Sequence, residues 1–101
     1  MMTTYEIIRN AVRNKEQVFA YYDGCPREMC PHVLGRKHGR EQALFYQFGG
    51  GSTHGRVPDW RCIEIAKLSE VSSRKGHWYK APNYSSLEQK CVDEIDVEVD
   101  L

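Results

Sequence analysis

Between residues 18 and 68 the chain repeats one pattern four times: a short apolar-aromatic run, then a break rich in glycine and charge. The runs are Val18-Phe19-Ala20-Tyr21-Tyr22, Met29-Cys30-Pro31-His32, Leu44-Phe45-Tyr46-Gln47-Phe48 and Trp60-Arg61-Cys62-Ile63-Glu64-Ile65. Runs of this length, separated by turn residues, predict a small and strongly bent sheet. A sheet of this size cannot hide both faces. Its open aromatic and arginine side chains therefore become the candidate site.

A chain of 101 residues makes one domain. At that length only about 60–65% of the unfolded surface is buried, so the core is modest. A hydrophobic content of 41% with 28% charged residues excludes a disordered chain and fits a soluble globular one. No apolar run approaches the length of a membrane span. Residues 1–6 lack the basic region and apolar stretch of a signal peptide, so a cytoplasmic location is expected. Residues 1–80 hold 13 Lys/Arg against 8 Asp/Glu, whereas residues 81–101 hold one Lys against six acids. The zero net charge therefore combines a basic body with an acidic tail.

The first element is a helix over residues 4–15. Thr3 or Thr4 caps it, Glu6 sits near its positive end, and Ile7, Ile8, Ala11 and Val12 form one apolar stripe. Strands are expected at 17–22, 27–34, 42–48 and 60–65. Asp23-Gly24 is a tight-turn signal, and Pro31 marks an edge or a bulge. A second, basic turn falls at 35–39, and 49–55 reads as a flexible loop. Ile65 and Leu68 lie three apart, which breaks the period of two and predicts a helical turn or bulge. Residues 72–86 read as a connector carrying Trp78 and Tyr79. Ser85-Ser86-Leu87-Glu88 has capping-box spacing before a short helix. In the tail, Ile95, Val97, Val99 and Leu101 alternate with acids, which predicts a half-buried strand.

The expected fold is α+β. An N-terminal helix packs on a small, bent antiparallel SH3-like sheet or barrel, with an acidic C-terminal edge strand. Residues 1–71 form the helix and barrel, and residues 72–101 pack on the same domain as connector, short helix and strand. Phe19, Met29, Leu44, Ile63 and Ile65, with Ile8 and Val12, are the expected core. The tail acids Glu94, Asp96, Glu98 and Asp100 are expected near Arg36, Lys37 and Arg40.

The order of helix and strands resembles the WYL domain, a small SH3/Sm-like barrel of bacterial regulators. The resemblance covers residues 7–71, about two thirds of the chain. Ile8, Ala11, Lys15, Val18, Phe19 and Tyr21 match its entry. Gly24, Arg27, Met29 and Pro31 match its arginine–hydrophobic–proline segment. Leu44, Tyr46, Trp60, Arg61, Ile65 and Leu68 match its last strands. The naming aromatic tripeptide is replaced by Gln42-Ala43-Leu44, Glu64 stands where a second arginine is usual, and no helix-turn-helix precedes the sheet. The resemblance therefore implies a stand-alone, diverged copy that senses a ligand or nucleic acid, with Arg27 and Arg61 at the family's arginine positions.

Local chemistry points the same way. Tyr22, Arg27, Tyr46, Trp60 and Arg61 form the candidate ligand-binding set, with Tyr21 beside them. Arginine grips phosphate with two parallel hydrogen bonds, and exposed aromatic faces stack bases. The competing reading buries the aromatics as core. Alternation also splits Phe19 and Tyr21 from Val18, Ala20 and Tyr22. Cys25, Cys30 and His32 have Cys-x4-Cys-x-His spacing, but no second close pair completes a zinc site. Cys62, Cys91, His38, His54 and His77 lie elsewhere, and all four cysteines are expected to be reduced. No nucleophile motif is present, and surface carboxylates account for Asp59 and Glu64. The Gly49-Gly50-Gly51 stretch is followed by no helix, so it is not a phosphate loop. The expected function is a non-enzymatic binding or regulatory module for a nucleotide, oligonucleotide or other anionic ligand, without cofactor or metal. The alternative is an interaction module that pairs with a second copy or a protein partner through the C-terminal strand. No membrane partner is expected.

Overall fold

Each end of the helix is closed by a few local residues. In the computed structural model, which describes residues 2–51, 59–80 and 89–100, helix α1 spans Thr4–Asn14. The Thr3 hydroxyl accepts from the Glu6 N–H at 3.1 Å, and the Glu6 carboxylate accepts from the Thr3 N–H at 2.9 Å. This reciprocal pair satisfies two donors that a helix start otherwise leaves open. Those bonds also hold the Glu6 carboxyl below its ordinary pKa. Lys15, at φ 52°, stops the helix. Ile8, Ala11 and Val12 are buried, whereas Ile7 is only half-buried.

Six strands follow: β1 (Gln17–Tyr22), β2 (Cys25–Lys37), β3 (Arg40–Gly50), β4 (Asp59–Glu64), β5 (Ser69–Arg74) and β6 (Glu94–Glu98). They form one antiparallel sheet in the order β4-β3-β2-β1-β5, with β6 also paired to β2. The sheet stays open, with β4 and β5 at opposite ends, and does not close into a barrel. No helix among the described residues is long and apolar enough to cross a membrane.

β2 is the spine. Asp23-Gly24 and His38-Gly39, all at positive φ, make the two-residue turns that bound it. The basic turn is therefore narrower than the expected 35–39, and β2 and β3 run longer. The first half of β2 pairs with β1 through residues 25–29, and its second half pairs with β6 through residues 33–36. Between them the register shifts after Pro31, so His32 has no opposing residue on β3. Proline cannot donate to the ladder, and a bulge beside it absorbs that defect. Gly35 is required by the close approach of β6, since a Cβ there would overlap the Glu94 carbonyl oxygen.

One face of the sheet packs against α1. Val18, Ala20, Met29, Leu34, Ala43, Phe45, Ile63, Ile65, Leu68 and Val99 join the three helix residues in that core. Phe19 is the exception among the expected core residues. The register Val18↔Met29 turns Val18 and Ala20 toward the helix, so Phe19 stands on the other face, half-buried beneath the Arg74 guanidinium at 3.9 Å. Leu44 also points away from α1, into a smaller cluster with Val33, Cys91 and Val92.

Residues 65–68 resolve into a single 3-10 turn, Ile65–Lys67. β5, by contrast, takes residues that the sequence pattern assigns partly to a connector. Its composition is polar, and its pairing with β1 makes it a strand. Gly49 and Gly50 end β3 rather than beginning a loop. Residues 52–55 of that expected loop and the Ser85–Glu88 capping signal lie outside the described residues.

The tail strand docks with one correction to the expected pattern. Leu34 pairs with Val97 and Gly35 with Ile95, which leaves Asp96 as the bulged residue. The bulge breaks the alternation, so Val99 is buried and Val97 half-buried while Ile95 is 45% exposed. It also sends the Asp96 carboxylate to α1, where Arg9 lies at 3.3 Å, instead of to the basic turn. Glu94 does oppose Arg36 in register. Lys37 donates to the Lys90 carbonyl, and Arg40 meets Glu64 at 3.5 Å.

Two of the cysteines expected to be reduced are joined. Cys62 sits on β4 opposite Leu44, the segment before β6 folds over Leu44, and Cys62 and Cys91 form a disulfide with Cα atoms 5.7 Å apart. Cys25 and Cys30 are free thiols.

Candidate functional site

The five residues singled out in the sequence divide between the two faces of the sheet. Arg27 opposes Ala20 and Met29 opposes Val18, so Arg27 lies on the helix side. It is 3% exposed. Its guanidinium donates to Gln47 Oε1 at 3.1 Å and to the Tyr22 carbonyl at 3.2 Å, and lies 5.1 Å from the Tyr22 ring centre. Gln47 in turn donates to the carbonyls of Gly49 and Gly51 at 2.9 and 2.8 Å. Tyr22 and Arg27 thus belong to a polar strut that fixes the glycine-rich end of β3. Arg61 opposes Phe45 on the same side and donates to the Trp60 carbonyl at 3.0 Å. Tyr46 and Trp60 oppose each other on the other face.

That second face is built of rings. Cys30, Tyr46 and Trp60 line up across β2, β3 and β4. The bulge at Pro31 brings His32 into the row. His32 packs edge-on against Trp60 at 5.0 Å and against Tyr46 at 6.5 Å, and Trp78 lies over it at 4.4 Å. Tyr46 and Trp60 meet edge to face at 5.8 Å. Two residues along β3, Phe48 stacks on Tyr79 at 4.5 Å, and Tyr79 meets His77 edge-on at the same distance. Edge-to-face and offset contacts at these separations suit the charge distribution of aromatic rings.

The segment after β5 supplies half of the array, and two bonds hold it to the sheet. Gln17 donates to the His77 carbonyl at 2.6 Å, and the Tyr79 N–H donates to Cys30 Sγ at 3.2 Å. Tyr46, Phe48, Trp60 and Trp78 are half-buried, Tyr79 is 39% exposed, and Lys80 is exposed beside them. The face offers π surface to solvent with a cation at its margin.

His32 is fully buried at the centre. Burial pushes its pKa down to about 4, against a smaller opposing effect of the Cys30 carbonyl, and the charge of Lys80 lowers it further. The imidazole is therefore neutral at pH 7. Its Nδ1 lies 2.9 Å from the Cys30 carbonyl oxygen. A carbonyl can only accept, so Nδ1 carries the proton. Burial also pushes the Cys30 thiol up to about 11, although the Tyr79 N–H pulls it down, so it stays protonated. No three His, Cys, Asp or Glu side chains among the described residues converge as a metal site.

Tyr46 and Trp60 are the two residues of the sequence-derived set that the fold brings together on the ring face. His32, Phe48, Trp78, Tyr79 and Lys80 join them. The legible signal for the last three was an aromatic pair within a basic stretch, Lys75-Gly76-His77-Trp78-Tyr79-Lys80. Compared with family models, with curated proteins and with solved structures, the chain shows no significant match.

Proposed function

We propose that this protein is a non-enzymatic binding module that takes a nucleotide or short single-stranded oligonucleotide on the ring face. One observation carries the reading: Tyr46, Trp60, Trp78 and Tyr79 gather on one sheet face with Lys80 at its edge. Bases stack on such rings, and a lysine meets the phosphate between them. The WYL-like order of motifs supports the same class of function. Arg27 acts as the strut that holds the fold around the site, and it does not touch the ligand.

Titration with short single-stranded oligonucleotides, read by tryptophan fluorescence at low and high salt, tests the proposal. Binding is expected to weaken as salt rises. Tyr79→Ala is expected to cost about 1–3 kcal/mol of affinity, the usual worth of one stacked base. Lys80→Gln should flatten the salt dependence. Absence of binding at low salt overturns the reading.

Exposed Ile95 on β6 favours a second reading, an edge-to-edge contact with another copy of the chain. Sedimentation across a concentration series tests it, because Ile95→Lys would then abolish a dimer.

A further inference from the structure

On the side of the sheet away from α1, near the His38-Gly39 turn, lies a second feature that the ring face does not use. A cleft of about 490 Å³ is lined by Lys37, His38, Arg40, Gln42, Cys62 and Lys90. Cys62, one half of the disulfide, belongs to that lining together with the basic residues Lys37, Arg40 and Lys90. The two sulfurs are unequal. Cys62 is an exposed residue and lines the cleft, whereas Cys91 is 7% exposed and does not line it. Arg40 also meets the Glu64 carboxylate, at 3.5 Å.

We propose that Cys62 is a modification site for anionic low-molecular-weight thiols, which the cleft concentrates and aims at its sulfur. The attacking thiolate forms a bond to Cys62 Sγ, and the Cys62–Cys91 bond breaks. The bonding pair leaves on Cys91 Sγ, which takes a proton from water. The products are a mixed disulfide at Cys62 and a free thiol at Cys91. No other oxidant or reductant is needed, since the exchange conserves the disulfide.

The surroundings suit both ends of the step. Lys37, Arg40 and Lys90 offer charge to the carboxylate of the incoming thiol. The Gln42 side-chain amide lies 3.4 Å from Cys62 Sγ and 3.8 Å from Cys91 Sγ, and is anchored on the Cys91 carbonyl at 2.8 Å. It faces the charge that develops on the departing sulfur. The Ala43 carbonyl, 3.3 Å from Cys91 Sγ, then accepts the new S–H. Attack on Cys62 is the accessible direction, because a thiolate must approach along the sulfur–sulfur axis from the open side.

The test compares three thiols of different charge on the oxidised full chain: mercaptosuccinate, 2-mercaptoethanol and cysteamine. Each is used at equal thiolate concentration at low salt. Products are trapped with N-ethylmaleimide and mapped by peptide mass spectrometry. Rates are divided by those for a small neutral disulfide, which removes intrinsic reactivity. Mercaptosuccinate is expected to react about tenfold or more faster than cysteamine, in the range of electrostatic steering in a charged cleft. The adduct should sit on Cys62 and the maleimide on Cys91. High salt should collapse the preference, as should the combined Lys37→Gln, Arg40→Gln and Lys90→Gln variant. Equal rates for the anionic and cationic thiols, an adduct on Cys91, or four free thiols in the unreduced protein would each overturn the proposal. The salt arm uses only the unaltered chain, so the outcome does not depend on whether the variant folds.

Discussion

The Tyr5 hydroxyl donates to Asp96 Oδ2 at 2.6 Å, joining residues 91 apart in sequence. The bond ties the first turn of α1 to the bulge of β6. Arg9 reaches the same carboxylate, so one acid holds two helix residues. Burial, together with this bond, raises the Tyr5 pKa to about 12, and the bond is the main cause of the lowered Asp96 pKa. Tyr5→Phe is expected to lower stability by about 0.5–1.5 kcal/mol in urea denaturation, the ordinary net worth of one hydrogen bond. A double-mutant cycle with Asp96→Asn should give clear non-additivity. Additive losses would place the effect in Tyr5 packing alone.

His32 makes the fold acid-sensitive in a defined window. The unfolded state takes up a proton near pH 6.5, while the folded state resists until about pH 4. Between those values the unfolded chain binds more protons, so stability falls as pH falls. The loss over the window is roughly 3 kcal/mol at about 1.4 kcal/mol per unit. His32→Phe should flatten the stability profile between pH 6.5 and 4, measured by urea melts at each pH. Asp96, with its lowered pKa, contributes below that window, where protonation removes its pairing with Tyr5 and Arg9.

Arg27 should behave as a structural residue. Arg27→Ala removes two donated bonds and leaves Gln47 Oε1 and the Tyr22 carbonyl without that partner. A cost of about 2–4 kcal/mol is expected, since unsatisfied buried acceptors add their desolvation to the lost bonds. The surviving folded fraction should keep its affinity for any ring-face ligand. A variant that melts like the parent but no longer binds would assign Arg27 to the ligand instead.

Gly35→Ala tests the docking of the tail. A methyl group there would displace the Glu94 carbonyl and press on the Val92 side chain. β6 should detach first, because its edge pairing covers only residues 33–36 of β2. Hydrogen exchange is expected to speed up at Val97 and Val99 before it does at Phe45 or Ile63. Unchanged protection at those two amides would show that β6 adjusts without leaving.

What the sequence determined by itself is local. The threonine cap at the start of α1 with Glu6 in its first turn, the Asp23-Gly24 turn, the disturbance at Pro31 and the turn at residues 65–68 depend on neighbours within a few positions, and all are present. Strand alternation was equally legible, but alternation has no sign. It separates Phe19 from Val18 without saying which meets the helix, and that choice falls to the register with Met29. The ring face, the Cys62–Cys91 link and the burial of Arg27 are decided in the same way. Trp78 lies on His32 across 46 residues, and Cys62 reaches Cys91 across 29. Such contacts arise from strand order and from one bulged residue on β2, and only the packed sheet contains that information, because burial rewards the whole arrangement rather than any segment of it.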